Sequence, residues 1–239
     1  MSNLLADLRE NRLLRALPEA ERHALAGAAQ PLSLPPGRDL CILPSRPHVY
    51  FPLSGAVDLL LALDDGFAAD AALIGREGIV GFPGEMALHR APWEALTLLP
   101  TEVLAVPADS FADLLERAPC MRSLAERYSA LLLESSVQLS GCSHFHELAP
   151  RLARLLLQLA DHGGNQIRIG QDVLARVLGS YRPTVTLALQ GLRGSRLIEN
   201  GRLRIVIVDR PGLERTACAC YARLRESRVA FTRELRASS

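Results

Sequence analysis

The side chains best suited to recognition chemistry lie in one short run. Arg182, Thr184, Thr186 and Gln190 fall within nine residues, behind Ser180 and downstream of Arg168 and Gln171. A guanidinium is a planar fork of donors that matches the O6 and N7 acceptors of guanine, worth ~1–3 kcal/mol of base discrimination. Thr184 and Thr186 suit a phosphate oxygen or a thymine methyl. Gln190 stands one helical turn beyond Thr186, within reach of groove or backbone. Gln171 and Arg168 are candidate phosphate contacts, which position without specifying sequence.

A second group is Cys142, His144 and His146, a C-x-H-x-H run. On a strand the three would share a face; on a helix that spacing cannot aim all of them at one metal. Packing or surface positions are expected there, and no metal site. Cys218 and Cys220, two apart in a stretch that reads as helix, are expected on different faces. Five Cys, an odd number, suit a reducing compartment. No Cys spacing resembles an iron–sulfur cluster or a zinc ribbon. No nucleophile–base pairing and no phosphate loop stands out, so enzymatic chemistry is not expected.

The elements that must position Arg182 are legible around it. Small Ala175 lets two helices cross closely, and Gly179 can adopt the left-handed backbone of a tight interhelical turn. Leu174, Val177, Leu178, Val185 and Leu189 fall where the two helices face each other. Ser180 or Tyr181 ends the turn, and Pro183 sits near the start of the second helix, where a missing N–H costs nothing. This is a helix-turn-helix pattern, whose second helix enters the DNA major groove. Asn200-Gly201 between short apolar runs then predicts a tight hairpin, and the combination is a winged helix.

Charge divides the same way. Residues 1–150 carry 11 Arg against 19 acids, whereas residues 151–239 carry 16 Arg against 7 acids, within a net charge of +1. Only the C-terminal part is suited to a polyanion. Every cation is Arg, so each phosphate or guanine contact must use the planar fork. No stretch approaches the ~20 apolar residues that span a bilayer. Met1–Glu10 carries acid early and lacks a signal-peptide core, so no membrane association and a cytoplasmic location are expected.

Upstream, residues 4–28 read as two helices, the second starting after Pro18. Residues 38–107 read as short strands and turns, with hairpins at Asp64-Asp65-Gly66 and at Pro100-Thr101-Glu102, in an antiparallel roll. Pro107 opens a short helix to Arg117, and Pro119 opens a long one to about Phe145. Along the long helix Met121, Leu124, Tyr128, Leu131 and Ser135 step by three and four, with Leu132 beside them; the other reading being a plain core helix, they are expected to form a dimer seam on a helix that also packs on the roll. Pro150 opens a helix that Gly163-Gly164 ends, and residues 211–236 predict a last, structural helix.

This order of parts resembles the Crp/Fnr superfamily of bacterial transcription regulators. The resemblance is carried by Tyr50-Phe51-Pro52-Leu53-Ser54-Gly55-Ala56-Val57, Ile74-Gly75-Arg76-Glu77-Gly78-Ile79-Val80-Gly81, His146 with Arg151-Leu152-Ala153-Arg154-Leu155-Leu156, and Leu178 to Thr186. It implies an α+β fold: an N-terminal antiparallel β-roll with its helices (residues 1–107), a connecting and dimerisation helix (108–148) and a winged helix-turn-helix (149–239). It implies a homodimer on a near-palindromic operator in double-stranded DNA, working with RNA polymerase, with Arg182 at the guanine-reading position. Leu187 stands where some members carry a second polar base reader. The family's roll often binds a cyclic nucleotide through Gly-Glu followed by an Arg and a small residue. Gly84-Glu85 matches the first half, but Arg90 comes early and Pro92-Trp93-Glu94-Ala95 occupies the Arg position. With no cation placed for a buried phosphodiester, cyclic AMP binding is not expected. Gly84, Glu85, Arg90 and Trp93 remain the candidate effector residues, with the effector unknown. The N-terminal Cys cluster of oxygen sensors is missing, so no iron–sulfur cluster is expected. The other reading is a ligand-binding dimerisation module whose winged helix contacts protein.

Overall fold

A computed structural model describes residues 8–41, 47–63, 68–81 and 93–237. Two short helices, α1 (Arg12–Arg15) and α2 (Glu19–Ala26), precede strands β1 (Gln30–Leu34), β2 (His48–Pro52), β3 (Val57–Ala62), β4 (Ala68–Ile74), β5 (Trp93–Thr97) and β6 (Thr101–Pro107). Then come α3 (Ala108–Arg117), α4 (Pro119–Phe145) and α5 (Leu148–Gly163). The C-terminal part holds β7 (Gln166–Ile167), α6 (Gln171–Val177), α7 (Arg182–Gly194), β8 (Ile198–Gly201), β9 (Arg204–Ile207), α8 (Arg210–Thr216) and α9 (Cys220–Ala237). This is the expected α+β class: antiparallel sheets, a long helix, then a helix-turn-helix. No helix among the described residues is long and apolar enough to cross a membrane.

The strands form two antiparallel sheets ordered β1-β6-β2 and β4-β3-β5, whose apolar residues meet in one core with Phe111, Met121 and Tyr128. β3 pairs with β4 around 64–67, as expected, although the turn itself lies outside the described residues. The hairpin expected at Pro100 does not exist: β5 pairs with β3 and β6 with β1 and β2. The chain changes sheets at that corner, because strands with both faces apolar are satisfied by a two-layer roll rather than by pairing with their sequence neighbour.

Asn11 is fully buried and caps α1: its Oδ1 accepts from Leu13 N and Leu14 N, and its Nδ2 donates to Pro52 O and Gly78 O. Glu21 of α2 plays a similar part for α4. Its carboxylate accepts from Cys120 N and Met121 N, supplying the cap that Ala118 lacks.

Three residues of the stripe expected as a dimer seam on α4 turn inward instead. Met121, Leu124 and Tyr128 are buried in the chain's own core, and the Tyr128 ring packs 6.0 Å from that of Phe231 on α9. Leu131, Leu132 and Ser135 are half-buried against β4 and α9. A helix that must pack on a roll gives its most apolar stripe to that roll. Among the residues it leaves exposed, Glu126, Ala130, Leu133, Val137 and Ser140 also step by three and four. The last helix is likewise two, broken at Ala217–Ala219.

Candidate nucleic-acid interface

α6 and α7 cross over a turn built as its residues require. Gly179 has φ +56°, and a Cβ there would come 3.1 Å from the Ala68 carbonyl oxygen of β4. Ser180 N donates to Ala175 O at 2.9 Å. Leu174, Ala175, Val177, Leu178, Val185 and Leu189 are buried, and Pro183 stands in the first turn of α7. The inward face of α7 is thus used up by packing.

Its outward face is open. Arg182, Thr184, Leu187 and Gln190 are exposed, Thr186 is half-buried and Ser180 half-buried in the turn. Arg182 Nε lies 3.3 Å from Asp172 Oδ1, with both side chains well exposed. Such a pair contributes little, so another acceptor can displace it. Thr186 Oγ1 donates to Gln171 Oε1 at 2.7 Å, tying α7 to the first residue of α6. Arg168 is exposed just before α6. Beyond α7, β9 pairs with β7 and β8 in a three-stranded wing.

The wing's turn differs from the expected one. Asn200 pairs with Ile205 and Gly201 with Arg204, so Arg202 and Leu203 make the turn, Leu203 with φ +58°. The register that buries Ile198, Ile205 and Ile207 together places the turn two residues beyond Asn200-Gly201. Burial of three isoleucines outweighs the local preference of Asn-Gly. The wing carries exposed Arg202 and Arg204, and Arg193 and Arg196 are exposed between it and α7.

Of the candidate effector residues, Gly84, Glu85 and Arg90 lie outside the described residues. Trp93 is half-buried at the start of β5, opposite Leu61. Between β4, α4 and α9, the described side chains of Tyr128, Leu131, Leu132 and Leu139 leave a gap of about 30 Å³.

Sequence reasoning missed the contacts that seat the helix-turn-helix on the roll. Arg154 of α5 is buried and donates from Nη2 to Asp70 Oδ2 of β4 at 2.9 Å and from Nη1 to Gln158 Oε1 at 2.6 Å. Asp58 of β3 completes this buried group, and burial, then the neighbouring Asp70, push its carboxyl well above the usual carboxylate range. Neither Asp58 oxygen has a donor in reach, which fits a neutral acid that donates to Asp70 instead of accepting. Arg176 of α6 pairs with Glu94 of β5, so Glu94 has a partner on the helix-turn-helix. These partners stand 82 and 84 positions apart in the chain, and no local pattern marks them.

Residues 150–216 match the Crp-like helix-turn-helix domain family. The chain is similar to the global nitrogen regulator of Nostoc sp. (strain PCC 7120), 26% identical over 81% of this chain and 92% of that protein. It is also similar to the global nitrogen regulator of Synechococcus elongatus, 24% identical over 68% and 78%. Among solved structures, FixK2 of Bradyrhizobium japonicum shares the fold at a TM-score of 0.62 and 19% identity, covering 80% of this chain and 98% of that one. The c-di-GMP responsive global regulator CLP of Xanthomonas campestris does so at 0.62 and 18%, covering 80% and 99%.

Proposed function

We propose that this chain, whose residues 150–216 match the Crp-like helix-turn-helix domain family and which is similar to the global nitrogen regulators, is a transcription regulator of the Crp/Fnr type that acts as a homodimer, reading a near-palindromic operator with one α7 from each subunit. The observation that carries this reading is the division of α7: Val185, Leu189 and Leu192 are buried while Arg182, Thr184, Leu187 and Gln190 face solvent. Arg182 reads guanine, Thr184 and Gln190 contact neighbouring bases or backbone, and Leu187 offers only an apolar surface, suited to a thymine methyl. Thr186 and Gln171 hold the two helices in register. Arg168, Ser180, Arg193, Arg196 and the wing arginines track phosphates.

Dimerisation uses the outward face of α4, centred on Ala130, Leu133 and Val137, with two recognition helices ~34 Å apart. The roll is the sensing part. A change at β4 or β5 reaches α6 and α5 directly, through Asp70–Arg154, Glu94–Arg176 and the turn at Gly179. The dimer then recruits or hinders RNA polymerase from its operator.

Selection of bound sequences from random duplex DNA, followed by mobility shifts, tests the reading. Arg182→Ala is expected to lose ~5–150-fold in preference for the selected site over scrambled DNA, the equivalent of ~1–3 kcal/mol. Equal losses on both DNAs would remove base reading from Arg182, and failure to enrich any sequence would reject the operator.

A further inference from the structure

Away from α7, four side chains capable of binding a metal converge. Cys142 lies in the last turn of α4, His146 caps that helix, Cys218 sits in the link between α8 and α9, and Cys220 begins α9. Their ligand atoms all lie within 4.8 Å of one another. Cys142 Sγ is 3.5 Å from Cys218 Sγ, and Cys220 Sγ is 3.5 Å from His146 Nδ1. A tetrahedral ion with metal–sulfur bonds of about 2.3 Å sets its ligand atoms about 3.8 Å apart. The group therefore fits one small ion and is too tight to surround a cluster of several irons.

The expectation from sequence fails here for identifiable reasons. Cys142 and His146 are four apart and share a helix face, while His144 points to solvent. Cys218 precedes the helix that Cys220 begins, so the two-residue spacing does not send the sulfurs apart.

The surroundings are those of a ligand set rather than of packing. Cys142, Cys218 and Cys220 are buried and form a cluster of sulfur alone, apart from the two apolar cores. Gln138 Nε2 donates to Cys220 Sγ at 3.0 Å, the outer support expected of a thiolate ligand. Three thiolates on a dication carry one net negative charge. Arg151 and Arg154 interact electrostatically with Cys142 and Cys218, and Arg151 Nε is buried with no hydrogen-bond partner.

We propose that Cys142, His146, Cys218 and Cys220 form a Cys3His site for a single tetrahedral thiophilic dication of the Zn2+ class, which pins the end of α4 to the start of α9 at the link into α5. Binding displaces the thiol protons and forms three metal–sulfur bonds and one metal–nitrogen bond, with no change of oxidation state. The site stands independently of DNA reading, and its test does not use DNA.

The full chain, purified natively under reducing conditions, is analysed for metal by mass spectrometry. About one zinc per chain is expected, and none in Cys218→Ser or Cys142→Ser, with Cys41→Ser as a control that keeps it. Cobalt exchanged into the site should show thiolate-to-cobalt charge transfer and the intense visible bands of tetrahedral S3N coordination. His146→Cys should retain the metal and strengthen the charge-transfer band. Gln138→Ala should weaken affinity on the order of 10–100-fold. These last two variants keep the proposal testable where loss of a cysteine unfolds the chain. It is overturned if reduced protein dialysed against zinc retains none and cobalt gives no charge-transfer band. Equal metal content in folded Cys218→Ser, a Cys142–Cys218 disulfide in the native protein, or iron with acid-labile sulfide would overturn it as well.

Discussion

Replacing Arg154 by Met probes the joint between the roll and the DNA-reading part. Arg154 is 2% exposed and faces Asp70, 8% exposed, at 2.9 Å, with Asp58 fully buried beside them. Methionine keeps the apolar stem but removes the cation hydrogen-bonded to Asp70. The charge-assisted bond to Asp70 is worth ~1.5–3 kcal/mol net, and Gln158 loses its donor at roughly 1 kcal/mol more. Breaking a buried pair from one side typically costs about 3–5 kcal/mol, because the remaining charge has no partner. That is a large part of the roughly 5–15 kcal/mol that holds a domain folded. Urea unfolding followed by circular dichroism measures it. Arg154 acts to lower the Asp58 carboxyl, so its removal favours the protonated form further and the deficit should shrink as pH falls. Arg154→Met with Asp70→Asn should recover most of the loss. A deficit under about 1 kcal/mol at neutral pH, or one that deepens in acid, would refute the account.

Further outcomes follow from the same geometry. Asp58 has a raised carboxyl, so the folded state holds its proton longer than the unfolded chain. Its contribution is complete below the usual value of 3.8 and is lost as pH rises through the folded value. Asp58→Asn should therefore match the parent in acid and exceed it in stability at higher pH; parallel stability–pH curves would contradict this. Leu133→Asp with Val137→Asp, 67% and 65% exposed in the single chain, should leave folding intact but weaken dimerisation on the order of 100-fold by sedimentation. An unchanged dimer would move the interface elsewhere. Gly179→Ala should cost ~1–2 kcal/mol in denaturant titration, since its φ of +56° disfavours a side chain. A neutral result would show that the turn relaxes.

The sequence was most legible where local rules and burial agree. Leu174, Val177, Val185 and Leu189 are apolar at helical spacing, Gly179 stands where the turn demands a left-handed residue, and Pro183 opens the next helix. All of them occupy those places. Arg182 was legible as a candidate because a helix with one buried face must present the other. The wing's turn was misplaced because Asn200-Gly201 is a local signal, overridden by the register that buries Ile205 and Ile207.

By itself, then, the chain determined its class, its long helix, the helix-turn-helix and which face of α7 turns outward, since each follows from periodicity over a few turns. Tertiary structure alone decided which stripe of α4 goes to the core, since both Met121–Ser135 and Glu126–Ser140 step at heptad spacing and only the neighbouring roll and α9 choose between them. It also decided that Arg154 meets Asp70, that Arg176 meets Glu94, and that Cys142 and His146 meet Cys218 and Cys220. Those groups are separated by 72 to 84 positions of chain, and charge or sulfur carries no periodic signal of its partner. Only packing, which closes the intervening loops against their entropy, brings them into contact.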